Sequence, residues 1–299
     1  MAAPGVLLVD KPGGMTSHDV VARARKALGT RKIGHAGTLD PMATGLLILG
    51  VEAATRLLTF IVGLDKTYEA TIRLGASTDT DDADGELVAM ADAAAVESAA
   101  VAAAIEHLTG EIAQVPSRVS AIKVGGRRAY DLARAGEQVE LTARTVTVSR
   151  FEVVAEHVVP VGSAQFRDLD VIVDCTSGTY IRALARDLGA ALGVGGHLTQ
   201  LRRTRIGSFG VDGAASVDEL ATAPLRDPGE VASAVLGAVL VSAEEARDLR
   251  HGKRLAGAAA RLHATPAAAI DPAGALVGIV ERRGDDIKSV MNLPGEASA

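Results

Sequence analysis

A chain of 299 residues exceeds one typical domain and hardly reaches three, so one large domain with a smaller companion is expected. Hydrophobic residues make up 48%, enough for a substantial core, but aromatics are only 2% with no Trp, so Ala, Val and Leu must fill the interior. The net charge of −6, taken alone, weighs against nucleic-acid binding, and the single cysteine, Cys175, excludes an internal disulfide.

The N-terminus lacks the basic, apolar and small-residue succession of a signal peptide. No apolar run approaches the roughly 18 residues that span a bilayer. A soluble, cytoplasmic protein without a membrane partner is expected. Charge is unevenly spread. From Ser77 to Glu111 there is no Lys or Arg, while Asp79, Asp81, Asp82, Asp84 and Glu86 cluster. From Ser117 to Arg144 the order reverses, with Arg118, Lys123, Arg127, Arg128, Arg134 and Arg144 against Asp131, Glu137 and Glu140. Arg202, Arg203 and Arg205 form a second basic knot. Each patch suits either anion contacts or an ordinary solvated face.

Along the chain, Gly5–Asp10 reads as a short buried strand, broken by Lys11-Pro-Gly-Gly14. Thr16 or Ser17 can cap a helix through Val20 to Leu28. Thr44–Val51 is a second buried apolar run, and Lys66–Arg73 alternates as a strand with one wet face. Ala93–Leu108 is an Ala-rich helical stretch. Arg144–Ser149 and Leu169–Cys175 alternate as sheet strands, which places Cys175 as a packed thiol. Tyr180–Leu188 has helical spacing, and Gly193-Val-Gly-Gly196 reads as a C-cap turn after it. Val211–Glu230 is expected to be a linker or surface helix. Ala269–Glu281 reads as strand, turn, strand around Asp-Pro-Ala-Gly. The pattern implies a mixed α/β sheet followed by a small β-rich module.

The stretch Arg31–Gly50 carries chemistry. Gly34 and Gly37 flank His35, and Asp40 precedes Pro41, which disfavours the helical region for Asp40 and holds it extended. A carboxylate on a glycine-bearing loop beside a histidine is a catalytic candidate, although by spacing alone an Asp-Pro turn with a surface histidine is the readier reading. The acidic loop Thr80–Gly85 is similar to a calcium loop, but its twelfth position is Ala91 where a bidentate Glu is needed, so the match fails. The seven histidines and one cysteine show no metal-ligand spacing.

Five motifs then occur in order: Lys11–Ser17, Gly34–Leu47, Asp65–Tyr68, Thr78–Gly85 and Ser177–Leu184. Together they resemble the bacterial TruB family of tRNA pseudouridine synthases, from the N-terminus to about Gly210. The resemblance implies an α/β (α+β) catalytic domain with a mainly antiparallel mixed sheet over residues 1–230. It further implies an RNA-gripping insertion at about 114–145, with the pair Gly125-Gly126 at its tip. A C-terminal RNA-binding module of the PUA type would occupy 231–299. It also implies isomerisation of the uridine at position 55 in the tRNA T loop, by base flipping, with no cofactor, no obligate protein partner and a monomeric enzyme. Asp40 matches the catalytic carboxylate, Tyr68 the active-site tyrosine, and Arg182 the arginine that pairs with the carboxylate. His35 matches the histidine that occupies space left by flipped nucleotides. Lys11, Tyr180 and Leu201 are expected to line the site or contact RNA, and Arg127, Arg128 and Arg202 to meet phosphates. The rival readings are a ribosomal-RNA-directed enzyme of the same superfamily and a catalytically silent RNA-binding protein.

Overall fold

The computed structural model describes residues 3–117, 123–124, 127–128 and 141–293, the two short pairs by their backbone. The chain forms two compact units. The first comprises Met1–Pro41, Gly45–Leu64 and Ile206–Ala299; the second comprises Met42–Thr44 and Asp65–Arg205.

The first unit starts from two apolar runs. Strand β1 (Gly5–Lys11) pairs antiparallel with β3 (Thr44–Val51), Leu7 opposite Leu49, β2 (Ile33–Ala36) pairs with the last four residues of β3, and the one-turn helix α2 (Leu58–Ile61) comes after β3. Because side chains alternate across a strand, a continuous apolar run serves two cores at once. Leu7, Val9, Leu47, Leu49 and Val51 pack with Val20, Val21 and Ala24 of helix α1 (Ser17–Leu28). Val6, Leu8, Leu46 and Ile48 point the other way, into a core shared with Val231, Ala232, Ala268, Ile270 and Ile279. Each fully buried Leu or Ile there contributes about 1.5–3 kcal/mol. Of the two expected caps, Thr16 is the one used: it forms a reciprocal capping box with Asp19, and Gly29 closes the helix in the left-handed conformation.

The second unit carries the longest strands. Its sheet runs β12 (Gly196–Ile206), β4 (Lys66–Leu74), β11 (Ala164–Cys175), β10 (Arg144–Val161) and β7 (Gly110–Gln114). The pairings β4–β11, β11–β10 and β10–β7 are antiparallel. Strand β4 alternates buried and half-exposed residues as its pattern predicts. A small ladder joins β5 (Ala76–Thr78) to β6 (Leu87–Met90), and the Ala-rich stretch contributes helix α3 (Ser98–His107). Helix α4 (Ile181–Ala191) ends in the expected turn, where Gly193 and Gly195 have positive φ and both Val194 and Gly195 donate to the Gly189 carbonyl. A Cβ at Gly189 would lie 2.1 Å from the Gly196 nitrogen, so only glycine permits this close approach. Of the predicted insertion, Lys123–Val124 (β8) and Arg127–Arg128 (β9) form a two-stranded pair. Residues 118–122, 125–126 and 129–140, including the Gly125-Gly126 tip, lie outside the described residues.

The remainder of the first unit departs from expectation at one point. Val211–Glu230 is neither linker nor surface helix. It runs along β1, with paired backbone hydrogen bonds between Val6 and Arg226 and between Ala215 and both Leu8 and Asp10. Leu220 is buried in the α1-side core. An edge strand with unpaired N–H and C=O groups recruits such a strap even where composition lacks strand character. The short strand β13 (Phe209–Gly210) precedes this strap, and helix α5 (Pro228–Leu236) follows it, capped by Asp227. A four-stranded sheet of β14 (Ala238–Leu240), β15 (Ala267–Ile270), β16 (Leu276–Arg283) and β17 (Asp286–Asn292), with helix α6 (Ala243–Arg250), completes the chain. The predicted turn is present: Asp271 accepts from the backbone of Ala273 and Ala275, and Gly274 has φ +85°. Antiparallel pairing dominates; β14–β15 is parallel. Among the described residues no helix is long and apolar enough to cross a membrane.

Candidate active site

Asp40 lies half-buried in the loop between β2 and β3, after Gly37 turns the chain at φ +87°. The peptide units on both sides of it are anchored. On one side Leu39 is buried and donates its N–H to Ser17 Oγ (2.9 Å), while the Ser17 hydroxyl returns a bond to the Leu39 carbonyl (3.2 Å). On the other side the Pro41 carbonyl accepts from Lys11 Nζ (3.2 Å) and from the Gly14 N–H (2.9 Å). The Lys11 ammonium also donates to the carbonyls of Pro12 (2.9 Å) and Met15 (2.7 Å). Nζ of this fully buried lysine thus gives hydrogen bonds to three backbone carbonyls, the satisfaction that a buried polar group requires. Lys11, expected to line the site or touch RNA, is thus placed within the loop's own support. A carboxylate whose neighbours cannot shift is preorganised to face a substrate atom.

His35 occupies β2 in the same unit, with its ring edge-on to that of His18 (centroids 5.4 Å apart, planes at 80°). His18 lies exposed on the first turn of α1 and is not among the residues the sequence singles out.

The second unit holds the remaining described candidates. Tyr68 is buried on β4 opposite Val173 of β11. Arg182, the second residue of α4, is buried too; its Nη1 donates to the Thr80 carbonyl (2.9 Å) and lies 3.2 Å from Asp82 Oδ2. Asp82 is itself held from below. Its Oδ1 accepts from the Thr80 hydroxyl (2.6 Å) and the Asp84 N–H (3.1 Å), and its carbonyl accepts from the Thr78 hydroxyl (2.7 Å). The acidic loop that resembles a calcium site therefore wraps a carboxylate aimed at an arginine. Neighbouring Asp81 sits at φ +62°, and burial pushes its carboxyl above the usual range, opposed in part by the nearby Arg186. Among the described residues no three His, Cys, Asp or Glu side chains group so as to hold a metal ion.

Tyr180 is the N-cap residue of α4, Leu201 is buried on β12, and Arg202 of β12 reaches Thr44 Oγ1 at 3.4 Å. The backbone of Arg127–Arg128 is paired with Lys123–Val124. Lys66, two residues before Tyr68, is buried, and desolvation together with the Arg203 charge lowers its pKa to about 8. Burial pushes the Cys175 thiol up to about 11, which makes it an inert packed group as its strand position predicts. The candidates thus divide: Asp40, His35 and Lys11 stand in the first unit, and Tyr68, Arg182, Tyr180, Leu201 and Arg202 in the second.

Sequence reading missed two supporting residues. Ser17 was weighed only as a helix cap, and its lack of a capping role is the one local hint that its hydroxyl serves elsewhere. Asp82 was one acid among five, and only its Thr-x-Asp-x-Asp turn spacing distinguishes it.

The N-terminal domain of the TruB family pseudouridylate synthases matches residues 25–181. The chain belongs to the TruB family. The C-terminal domain of tRNA pseudouridylate synthase B matches residues 182–247, and that of tRNA pseudouridine synthase II matches residues 237–294. The tRNA pseudouridine synthase B of Leifsonia xyli subsp. xyli (strain CTCB07) is 53% identical over 304 residues, covering 100% of this chain and 99% of that protein. That of Nocardia farcinica (strain IFM 10152) is 61% identical over 253 residues, covering 84% and 81%. Among solved structures, a chain of an H/ACA RNP bound to a substrate RNA containing 2′-deoxyuridine aligns with TM-score 0.67 at 24% identity, over 97% of this chain and 85% of that one. A chain of a Cbf5-Nop10-Gar1 complex aligns with TM-score 0.64 at 25% identity, over 98% and 84%. These TruB-family matches make the chain a pseudouridine synthase with the corresponding fold, and they reach well beyond Gly210, where the sequence motifs end.

Proposed function

We propose that this enzyme converts the uridine at position 55 in the T loop of elongator tRNAs to pseudouridine, with Asp40 as its catalytic carboxylate. The observation that carries the reading is the anchoring of Leu39 and Pro41 around a half-buried Asp40, in a chain whose curated relatives are named tRNA pseudouridine synthase B. The reaction breaks the bond from the ribose to N1 of uracil, turns the detached base, and joins it through C5. A proton leaves C5 and another is gained at N1, so nothing external is consumed. Asp40 acts at this centre. Tyr68 stacks on the flipped base, its hydroxyl serving the proton in transit, and Arg182 keeps the carboxylate oriented. His35 fills space left by flipped nucleotides, which offsets part of the few kcal/mol lost in unstacking.

Arg127, Arg128 and Arg202 meet phosphates in this reading, and residues 231–299 act as an RNA-binding module. The enzyme works in the cytoplasm as a monomer without a protein partner. The test uses purified protein and an unmodified tRNA transcript, with pseudouridine mapped by carbodiimide adducts. Product at the T-loop uridine, together with an Asp40→Asn variant that binds tRNA but does not turn over, is expected. Product elsewhere, or turnover by Asp40→Asn, overturns the reading.

A further inference from the structure

We propose that Gln114 is a positioning residue for Arg182, its carboxamide clamping the backbone of the N-cap residue of helix α4. The inference rests on the role given to Arg182 above. Helix α4 starts at Ile181 with Tyr180 as its N-cap, and no side chain of its own caps it. Tyrosine cannot fold back onto the first-turn N–H groups as Ser, Thr or Asp does. Instead Gln114, 66 residues earlier and only 2% exposed, grips the backbone of Tyr180 from outside. Its Oε1 accepts from the Tyr180 N–H (2.8 Å) and its Nε2 donates to the Tyr180 carbonyl (3.1 Å). The amide orientation follows from this pairing, since a flipped carboxamide would set N–H against N–H and oxygen against oxygen.

The grip is two-point, on the N–H and the carbonyl of one residue, so it fixes the peptide units on both sides of Tyr180, the second of which enters the helix. Arg182 is the second residue after Tyr180. Its Nη1 makes contacts to both Thr80 (2.9 Å) and Asp82 (3.2 Å), so a turn of the first helical residues weakens both together. A second tie lies one turn along: Arg186 Nη2 donates to the carbonyl of Val115 (2.7 Å), the residue after Gln114. Gln114 itself closes β7 and stands opposite Arg144 of β10. The start of α4 is therefore referenced to the sheet edge from which the predicted RNA-gripping segment departs. A buried glutamine that served packing alone would be replaceable by an apolar residue of its size.

The experiment compares wild type, Gln114→Met, Arg182→Lys and the double variant in single-turnover pseudouridine formation, with tRNA affinity measured alongside. Gln114→Met keeps the volume and removes both bonds. The expected result is a rate loss of about 10- to 100-fold, as for small misplacements of a reacting group, with tRNA Kd within about twofold of wild type. In the Arg182→Lys background the same substitution should change the rate by no more than about twofold, because the residue it acts through is gone. Should Gln114→Met fail to fold, Gln114→Glu, which keeps one acceptor and loses the donor, carries the same comparison. An equal loss in both backgrounds, a parallel loss of affinity and rate, or an unchanged rate overturns the positioning role. A wild-type enzyme that forms no pseudouridine instead overturns the functional reading on which it rests.

Discussion

Replacing Asp82 by Asn removes the carboxylate 3.2 Å from Arg182 while keeping an oxygen for Thr80 and Asp84. Both partners are buried, with side chains only 4% and 7% exposed, so solvent cannot screen the pair. Deleting one member of a buried ion pair outright costs about 3–5 kcal/mol when the other charge is left uncompensated. The Asn variant retains the loop hydrogen bonds, so the loss should sit near the value for a hydrogen bond to a charged group, about 2 kcal/mol. For a chain of this size that lowers Tm by roughly 3 °C. Asp82→Ala also strips the Thr80 and Asp84 bonds and should lose about 1–2 kcal/mol more. Thermal unfolding followed by circular dichroism reads both, and single-turnover pseudouridine formation should fall together with stability for each. Asn and Ala variants that melt within about 1 °C of wild type would show that the pair does not hold the Thr78–Gly85 loop to α4.

Two further perturbations probe one buried group in each unit. Ser17→Ala leaves the buried Leu39 N–H and carbonyl without their reciprocal partner, so a loss of about 1–3 kcal/mol in urea unfolding is expected. Turnover should drop while the α1 capping box at Thr16 stays intact, and an unchanged rate would mean that Leu39 does not steady Asp40. Lys66 gives a pH test: its folded pKa of about 8 lies below the ordinary 10.5. Between those values the unfolded chain binds a proton that the folded one does not, so wild type gains stability as pH rises from about 8 to 10.5. The gain, measured as the stability of wild type minus that of Lys66→Met, should reach about 3 kcal/mol over that window. A flat difference across the window refutes the burial penalty.

Much of this protein is legible along the chain because its determinants are local. The apolar runs of β1 and β3 announce strands with two covered faces. Thr16 with Asp19, Gly29, and Gly193 to Gly196 mark helix ends by residue chemistry alone, and the turn at Asp271–Gly274 follows from its Asp and Gly. The Asp40 segment stands out by its glycines and proline, and the ordered motifs carried the family resemblance that the domain matches then showed. The strap from Val211 to Arg226 escaped because its composition is not that of a strand; the unpaired edge of β1, remote in sequence, pulled it into register.

The same reason explains which functional detail stayed hidden. Residue type and spacing made Asp40 a candidate, and the resemblance of the ordered motifs to the TruB family put Tyr68 and Arg182 beside it. Their supports act through hydrogen bonds that join distant segments: Ser17 to Leu39, Lys11 to Pro41, Gln114 to Tyr180 and Asp82 to Arg182. A serine, a lysine, a glutamine and an aspartate have many possible uses, and only the folded chain selects one. A hydrogen bond depends on distance and direction in space, and neither is written in the separation of two residues along a sequence.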